Sequence, residues 1–262
     1  MLWDEGKLYR SAVLATPPFY KAWLVNTITS RLEKKGRKIM EPMPSQNEAR
    51  IEGKDWPPLA HTMIGLKRLN NLQVCIEDVL RSGTPGDLIE TGVWRGGATI
   101  FMRAVLKAYD VVDRRVWVAD SFQGLPPPDD NKYPWDKGAD WHTVSELRVS
   151  LEEVRANFER YGLLDDQVEF LKGWFKDTLP KAPIDTLAIL RVDGDMYEST
   201  WDALVNLYPK LSSGGFCIVD DYCIENCRRA VNDYRSQYDI RDEIFDIDGS
   251  GIYWRSTKIS DL

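Results

Sequence analysis

Asp87-Leu-Ile-Glu-Thr-Gly-Val-Trp-Arg-Gly-Gly-Ala-Thr-Ile100 is the stretch around which the rest of the chain is organised. Leu88 and Ile89 begin a short apolar strand that ends on an acid, Glu90. The chain then turns through Gly92, Gly96 and Gly97 into an apolar helix ending near Tyr109. This is a β-turn-α unit. Glycines at such a turn let the backbone approach a ligand, and the helix amides that follow are unpaired donors at the positive end of a macrodipole. A small molecule is expected here, although a glycine-bearing βα turn also occurs in α/β proteins that bind nothing at that place.

The spacing argues against a dinucleotide. The fingerprint G-x-G-x-x-G needs glycine where Trp94 stands, and an indole there would keep a pyrophosphate away. A second apolar run, Val116-Trp-Val-Ala-Asp120, also ends on an acid. Two strand-ending acids beside a loose glycine turn suit a nucleoside carrying an amino-acid tail, and S-adenosylmethionine is such a ligand. Asp120 would then accept from both ribose hydroxyls, while Glu90, Gly92, Val93 and Trp94 hold the methionine end.

Outward from this unit, strands and helices alternate. A helix is expected over 62–80 from the spacing of Ile64, Leu69, Leu72, Cys75, Ile76 and Leu80, and another over 144–161 after an irregular stretch with four prolines. Further strands are expected at 168–171, 186–193 and 215–221, with helices at 198–211 and 224–238. Two last strands, 244–247 and 252–255, are separated only by Asp248-Gly-Ser-Gly251 and predict a closing hairpin. The fold class is therefore α/β: a doubly wound, mostly parallel seven-stranded sheet, Rossmann-like, with a helical N-terminal extension. The run 186–193 is apolar enough to be the central strand, buried on both faces.

With 262 residues and 43% hydrophobic content, one domain with an appendage is expected. The boundary falls at residues 57 and 58. Residues 1–57 read as a lid or oligomer contact, with Phe19, Trp23, Leu24 and Ile28 on one helix face, and 58–262 as the main domain. A net charge of −7 disfavours a nucleic-acid partner. Four cysteines are too few for a disulfide scaffold, and the pair Cys223 and Cys227 has no second pair to complete a metal site. No cationic leader precedes an apolar run and no window reaches a membrane-spanning length, so a cytoplasmic protein without a membrane partner is expected.

In such a sheet, ligands bind beyond the carboxyl ends of the strands. Asp193 ends the fourth strand and Asp220 and Asp221 end the fifth, which puts three carboxylates on one rim. Either they are partly protonated, or an oxygen-preferring ion such as Mg²⁺ sits among them. The cluster has no histidine or cysteine, which argues against zinc. The other reading is that these acids are ordinary polar strand ends capping the next helices.

These residues in this order resemble class I S-adenosylmethionine-dependent methyltransferases, and within them the macrocin O-methyltransferase (TylF-like) family acting on sugars of antibiotic natural products. The blocks that carry the resemblance are Ala60-His-Thr-Met-Ile-Gly-Leu-Lys-Arg-Leu-Asn70, Glu90-Thr-Gly-Val-Trp-Arg-Gly-Gly97, Val116-Trp-Val-Ala-Asp-Ser-Phe-Gln-Gly124, Tyr161-Gly-Leu-Leu-Asp-Asp-Gln-Val168, Gly173-Trp-Phe-Lys-Asp-Thr-Leu-Pro180, Arg191-Val-Asp-Gly-Asp195 and Asp220-Asp-Tyr222. The resemblance implies that Thr62, Met63, Glu90, Gly92, Asp120, Ser121, Phe122 and Gln123 meet the cofactor, with Trp174 and Phe175 beside the adenine. It also implies Mg²⁺ on Asp193, Asp220 and Asp221, a glycosylated small-molecule acceptor and a homo-oligomer, expected as a dimer. The first 55 residues depart from the family's antibiotic-sugar enzymes, so the acceptor is left open.

The implied reaction is in-line displacement at a sulfonium-bound methyl. A sugar hydroxyl is a poor nucleophile, and Mg²⁺ would lower its pKa and fix its angle. Asp193 is the expected base, with Asp195 and His142 behind it. His142, Tyr197 and Tyr222, together with Trp135 and Trp141, are candidates for the acceptor pocket. Two other classes remain: a metal-dependent hydrolase, which would not need Glu90 and Asp120, and a non-catalytic nucleoside-binding regulator, which would tolerate loss of Asp193.

Overall fold

The computed structural model of the chain describes residues 48–57 and 59–257. The helix face expected from Phe19, Trp23, Leu24 and Ile28 lies outside the described residues, and the described part of the extension, 48–57, opens with a short helix, α1 (Glu48–Glu52).

The strands are β1 (Asp87–Thr91), β2 (Val116–Asp120), β3 (Val168–Lys172), β4 (Leu187–Val192), β5 (Leu211–Val219), β6 (Phe245–Asp246) and β7 (Ile252–Arg255). They form one seven-stranded sheet in the order β3-β2-β1-β4-β5-β7-β6. The first five are parallel, and β7 runs antiparallel between β5 and β6. The expected sheet with its closing hairpin is what the chain forms. Strand order reverses between β1 and β4, the place where a doubly wound sheet leaves a crevice.

Side chains alternate across the sheet and sort the core into two layers. Leu88, Val118, Ile189 and Ile218 face α2 (Leu66–Arg81), α3 (Gly97–Ala108) and α4 (Leu151–Arg160). Ile89, Trp117, Leu190 and Cys217 face α5 (Phe175–Thr178), α6 (Tyr197–Leu207) and α7 (Glu225–Gln237). All six residues of β4 are buried, as its composition predicts. Each such aliphatic side chain contributes roughly 1.5–3 kcal/mol on burial, which makes β4 a rigid base for whatever its end carries. Continuing the alternation puts Glu90, Arg191 and Asp220 on the face of Leu88, Ile189 and Ile218.

Several boundaries differ from expectation, each for a local reason. The helix expected over 62–80 starts at Leu66, because Gly65 packs against the preceding turn. A Cβ on Gly65 would stand 2.3 Å from the Ile51 carbonyl oxygen. Thr62 and Met63 are thereby left outside the helix. The helix expected over 144–161 begins only at Leu151, where the Ser150 hydroxyl accepts from the Glu153 amide at 3.1 Å and sets the N-cap. Before it come only 3-10 turns at Pro134–Asp136, Trp141–Thr143 and Ser145–Leu147. The helix expected over 198–211 ends at Leu207, and β5 already begins at Leu211, longer than its apolar run alone indicated.

Candidate active site

Parallel pairing carries the strand ends to one level. The Asp193 amide donates to the Thr91 carbonyl, the Asp220 amide to the Val192 carbonyl and the Gly92 amide to the Ala119 carbonyl, each at 2.9 Å. A cavity of 320 Å³ opens at this rim, a size that suits a small-molecule ligand. Its wall includes Thr62, Met63, Glu90, Gly92, Val93, Trp94, Asp120, Ser121, Trp174, Phe175, Asp193, Asp220 and Asp221, all singled out from sequence. Trp56, Arg68, Leu147, Lys176, Glu198 and Asp202 also line it and were not foreseen.

Carboxylate oxygens of Asp193, Asp220 and Asp221 lie within 4.8 Å of one another. The donor set is all oxygen, and burial together with Asp195, Asp193 and Asp220 pushes Asp221 well above the usual carboxylate range. Three carboxylates so close together, one buried and two half-buried, fit a hard divalent cation. The helix-cap alternative has no support here. The first amides of α6, at Tyr197 and Glu198, go to Asp136 instead, and the Asp221 carboxylate accepts from the Asp195 amide at 3.1 Å, ahead of any helix.

The rim acids have basic neighbours that the sequence reading did not name. Arg191, projecting from β4 and 1% exposed, donates to Asp193 at 2.7 Å and pairs closely with Glu90 and Asp220. Arg68 on α2 pairs with the other Asp220 oxygen and donates to Asp248 at 2.9 Å. Burial works against the Arg191 cation, but Asp220, Glu90 and Asp193 hold its pKa well above the ordinary value. A charge within an otherwise apolar central strand was the available signal, because an arginine is almost never fully buried without partners.

Glu90 links the carboxylate rim to the glycine turn. Its Oε1 meets Arg191, its buried Oε2 has no partner among the described residues, and Glu90 is one of the residues that line the cavity. Burial pushes Glu90 up to about 8, with Arg191 opposing and Asp193, Asp220 and Asp120 adding to the rise. An orphaned acceptor on a cavity wall fits a donor group of a ligand.

The turn itself works differently from the sequence reading. A Cβ on Gly92 would stand 1.8 Å from the Asp193 carbonyl oxygen, and one on Gly97 would stand 2.3 Å from that of His61. These glycines therefore admit neighbouring chain, and Gly92 lines the cavity as well. The first α3 amide is also not free, since Gly97 donates to the His61 carbonyl at 2.8 Å. Asp120 is already engaged. Its two oxygens accept from the Val93 amide at 2.8 Å and the Phe122 amide at 2.7 Å. Burial raises its pKa and these amide bonds oppose the rise. Its contribution in this structure is to brace the turn, so a ribose would have to use the lone pairs that remain.

Other expected site residues lie away from the cavity wall. Phe122 is in the core against Phe170, with ring centroids 6.4 Å apart, and the Gln123 amide donates to the Ser121 hydroxyl at 2.9 Å. Tyr197 stacks on Trp201 at 5.9 Å and its hydroxyl donates to Asp233; the Tyr222 hydroxyl bonds Asn232 at 2.9 Å. His142 sits in a 3-10 turn whose carbonyl accepts from Arg148 at 2.6 Å. Trp141 lines the cavity, whereas Trp135 is exposed under Arg229. Aromatic residues near strand ends are thus mostly packing here. Asp195 does line the cavity, and burial with Asp193 and Asp220 lifts it to about 7.

A sheet in this order, with strand-end acids around a cavity at the switch point, defines the class I methyltransferase fold. Calicheamicin methyltransferase CalS11 shares that fold at TM-score 0.60 and 17% identity, covering 87% of this chain and all of that one. The profile of the macrocin-O-methyltransferases (TylF) matches residues 9–256, and the chain belongs to that family of O-methyltransferases. It is 61% identical to the Streptomyces olivaceus 8-demethyl-8-(2,3-dimethoxy-alpha-L-rhamnosyl)-tetracenomycin-C 4'-O-methyltransferase, over 81% of this chain and 82% of the relative. It is likewise 61% identical to the Micromonospora griseorubida mycinamicin III 3''-O-methyltransferase, over 79% and 83%. The solved O-methyltransferase NovP superposes at TM-score 0.84 with 52% identity, covering 92% of this chain and 99% of that one. Among the described residues no helix is long and apolar enough to cross a membrane.

Proposed function

We propose that this chain transfers a methyl group from S-adenosylmethionine to a hydroxyl on the sugar of a glycosylated natural product, with Mg²⁺ held by Asp193, Asp220 and Asp221. The observation that carries this reading is that the three carboxylates share one cavity wall with the orphaned Glu90 oxygen, so a cofactor donor and an acceptor have adjoining places. The sugar comes from the relatives, whose names specify methylation on a rhamnosyl tetracenomycin and on mycinamicin III.

Glu90 would accept a hydrogen bond from the cofactor, and Asp120 would keep the Val93 amide and the strand-two turn in place beneath it. Trp174 and Phe175, also on the wall, offer apolar surface to the adenine. Bound at the three aspartates, Mg²⁺ would supply Lewis acidity that lowers the pKa of the acceptor hydroxyl. S-adenosylmethionine bound there would supply the methyl group, its sulfur leaving with the electron pair of the C–S bond, and Asp193 would take the proton of the acceptor hydroxyl. Asp195 is the rival proton acceptor, because its position near pH 7 suits a general base.

The test is methylation of rhamnosylated and other deoxysugar-bearing acceptors, followed as a gain of one methyl by mass spectrometry. Excess EDTA should abolish turnover, Mg²⁺ should restore it, and Asp220→Ala should behave as the chelated enzyme. Full turnover in EDTA would remove the cation from the mechanism, and aglycones reacting as well as glycosides would remove the sugar.

A further inference from the structure

The loop between β2 and α4 contains the 3-10 turn Pro134–Asp136, and the Asp136 carboxylate is fully buried. It accepts from the Tyr197 amide at 2.7 Å and the Glu198 amide at 2.9 Å, the opening amides of α6. It also accepts from Asn226 Nδ2 at 3.1 Å, in the first turn of α7. Helix α6 has no cap of its own, because Met196 at its N-cap position carries no oxygen. A carboxylate from a distant loop thus sits at the positive end of α6 and holds a side chain in the first turn of α7. Those helices follow directly the two turns that carry the rim acids, and the turns are themselves joined where the Asp195 amide donates to Asp221.

We propose that Asp136 is a positioning residue that fixes the spacing of the Asp193 and Asp221 turns, so that cation affinity depends on how this loop is seated. The inference rests on the cation reading above. The same loop supplies Trp141 and Leu147 to the cavity wall, which links acceptor contacts to the rim through one buried carboxylate.

Asp136→Asn keeps the volume but turns one acceptor oxygen into a donor group facing donors. Asn226→Ala removes one donor and leaves the carboxylate intact. Calorimetric titration of the full chain with MgCl₂, well below the melting temperature, should show affinity reduced about tenfold in Asp136→Asn, as for residues that orient metal ligands. In Asn226→Ala the loss should be smaller, about threefold. S-adenosylmethionine affinity should stay at the wild-type value, and acceptor KM should rise. A residue that only anchored the loop would lower the melting temperature and leave Mg²⁺ affinity alone, so wild-type affinity in both variants overturns the inference. If Asp136→Asn fails to fold, Asn226→Ala decides it alone. A wild-type chain that binds no Mg²⁺ overturns the cation reading and this inference with it.

Discussion

Replacing Arg191 by methionine removes the cation that three acids share while keeping most of the buried volume. Arg191 and Glu90 are 1% and 2% exposed, and Asp220 is 5% exposed, so without Arg191, Glu90 has little water to turn to and Asp220 keeps only Arg68 among the described residues. Breaking a buried pair by removing one partner costs about 3–5 kcal/mol. For a domain of this size each kcal/mol moves the melting temperature by ~2–4 °C, so the metal-free variant should melt roughly 6–20 °C below wild type. Mg²⁺ should return part of that loss, since ligand at a hundred times its dissociation constant adds about 2.7 kcal/mol. It should stabilise the variant more than the wild type, whose acids are already compensated. The assay is thermal unfolding by circular dichroism with EDTA or with MgCl₂. A metal-free variant that melts with the wild type would refute the view that Arg191 neutralises the rim.

Asp120→Ala should weaken S-adenosylmethionine binding by ~1.5–3 kcal/mol, because the Val93 and Phe122 amides lose their acceptor and the turn loosens; unchanged affinity by calorimetry would free Asp120 of any cofactor role. Glu90 is raised to about 8 and Asp195 to about 7, above their unfolded values, so the folded chain binds these protons more tightly. The stability they contribute is complete at low pH and is lost as pH rises through those values. Metal-free stability should therefore fall between about pH 4 and pH 8, by up to ~1.4 kcal/mol per pH unit for each proton that only the folded chain retains, the melting temperature should fall with it, and Mg²⁺ should flatten the slope. A melting temperature that stays flat across this window would mean both groups are already ionised in the folded chain.

The five parallel strands and the closing hairpin were legible because apolar alternation and glycine turns are local signals, each written within a dozen residues. The rim acids were legible for the same reason: Glu90, Asp120, Asp193 and Asp220 end apolar runs, and the ends of parallel strands share one edge of the sheet. The stretch 121–150 was not. It has no period of two or 3.6, and what shapes it is a set of single hydrogen bonds such as Trp94 Nε1 to the Glu146 carbonyl at 2.8 Å. Phe122, Tyr197 and Tyr222 lie off the cavity wall, a placement that sequence does not reveal, because an aromatic near a strand end looks the same whether it faces a ligand or the core.

By itself the sequence determined which segments become strands and helices, and that acids and glycines would crowd one end of the sheet. Tertiary structure alone decided how those acids are held. Arg68 reaches Asp220 across 152 residues, Arg191 reaches Glu90 across 101, and Asp136 caps a helix that begins 61 residues later. No local pattern records such pairs. Register between strands and the packing of helices on the sheet bring them within hydrogen-bonding distance, and once buried there each charge must find a partner.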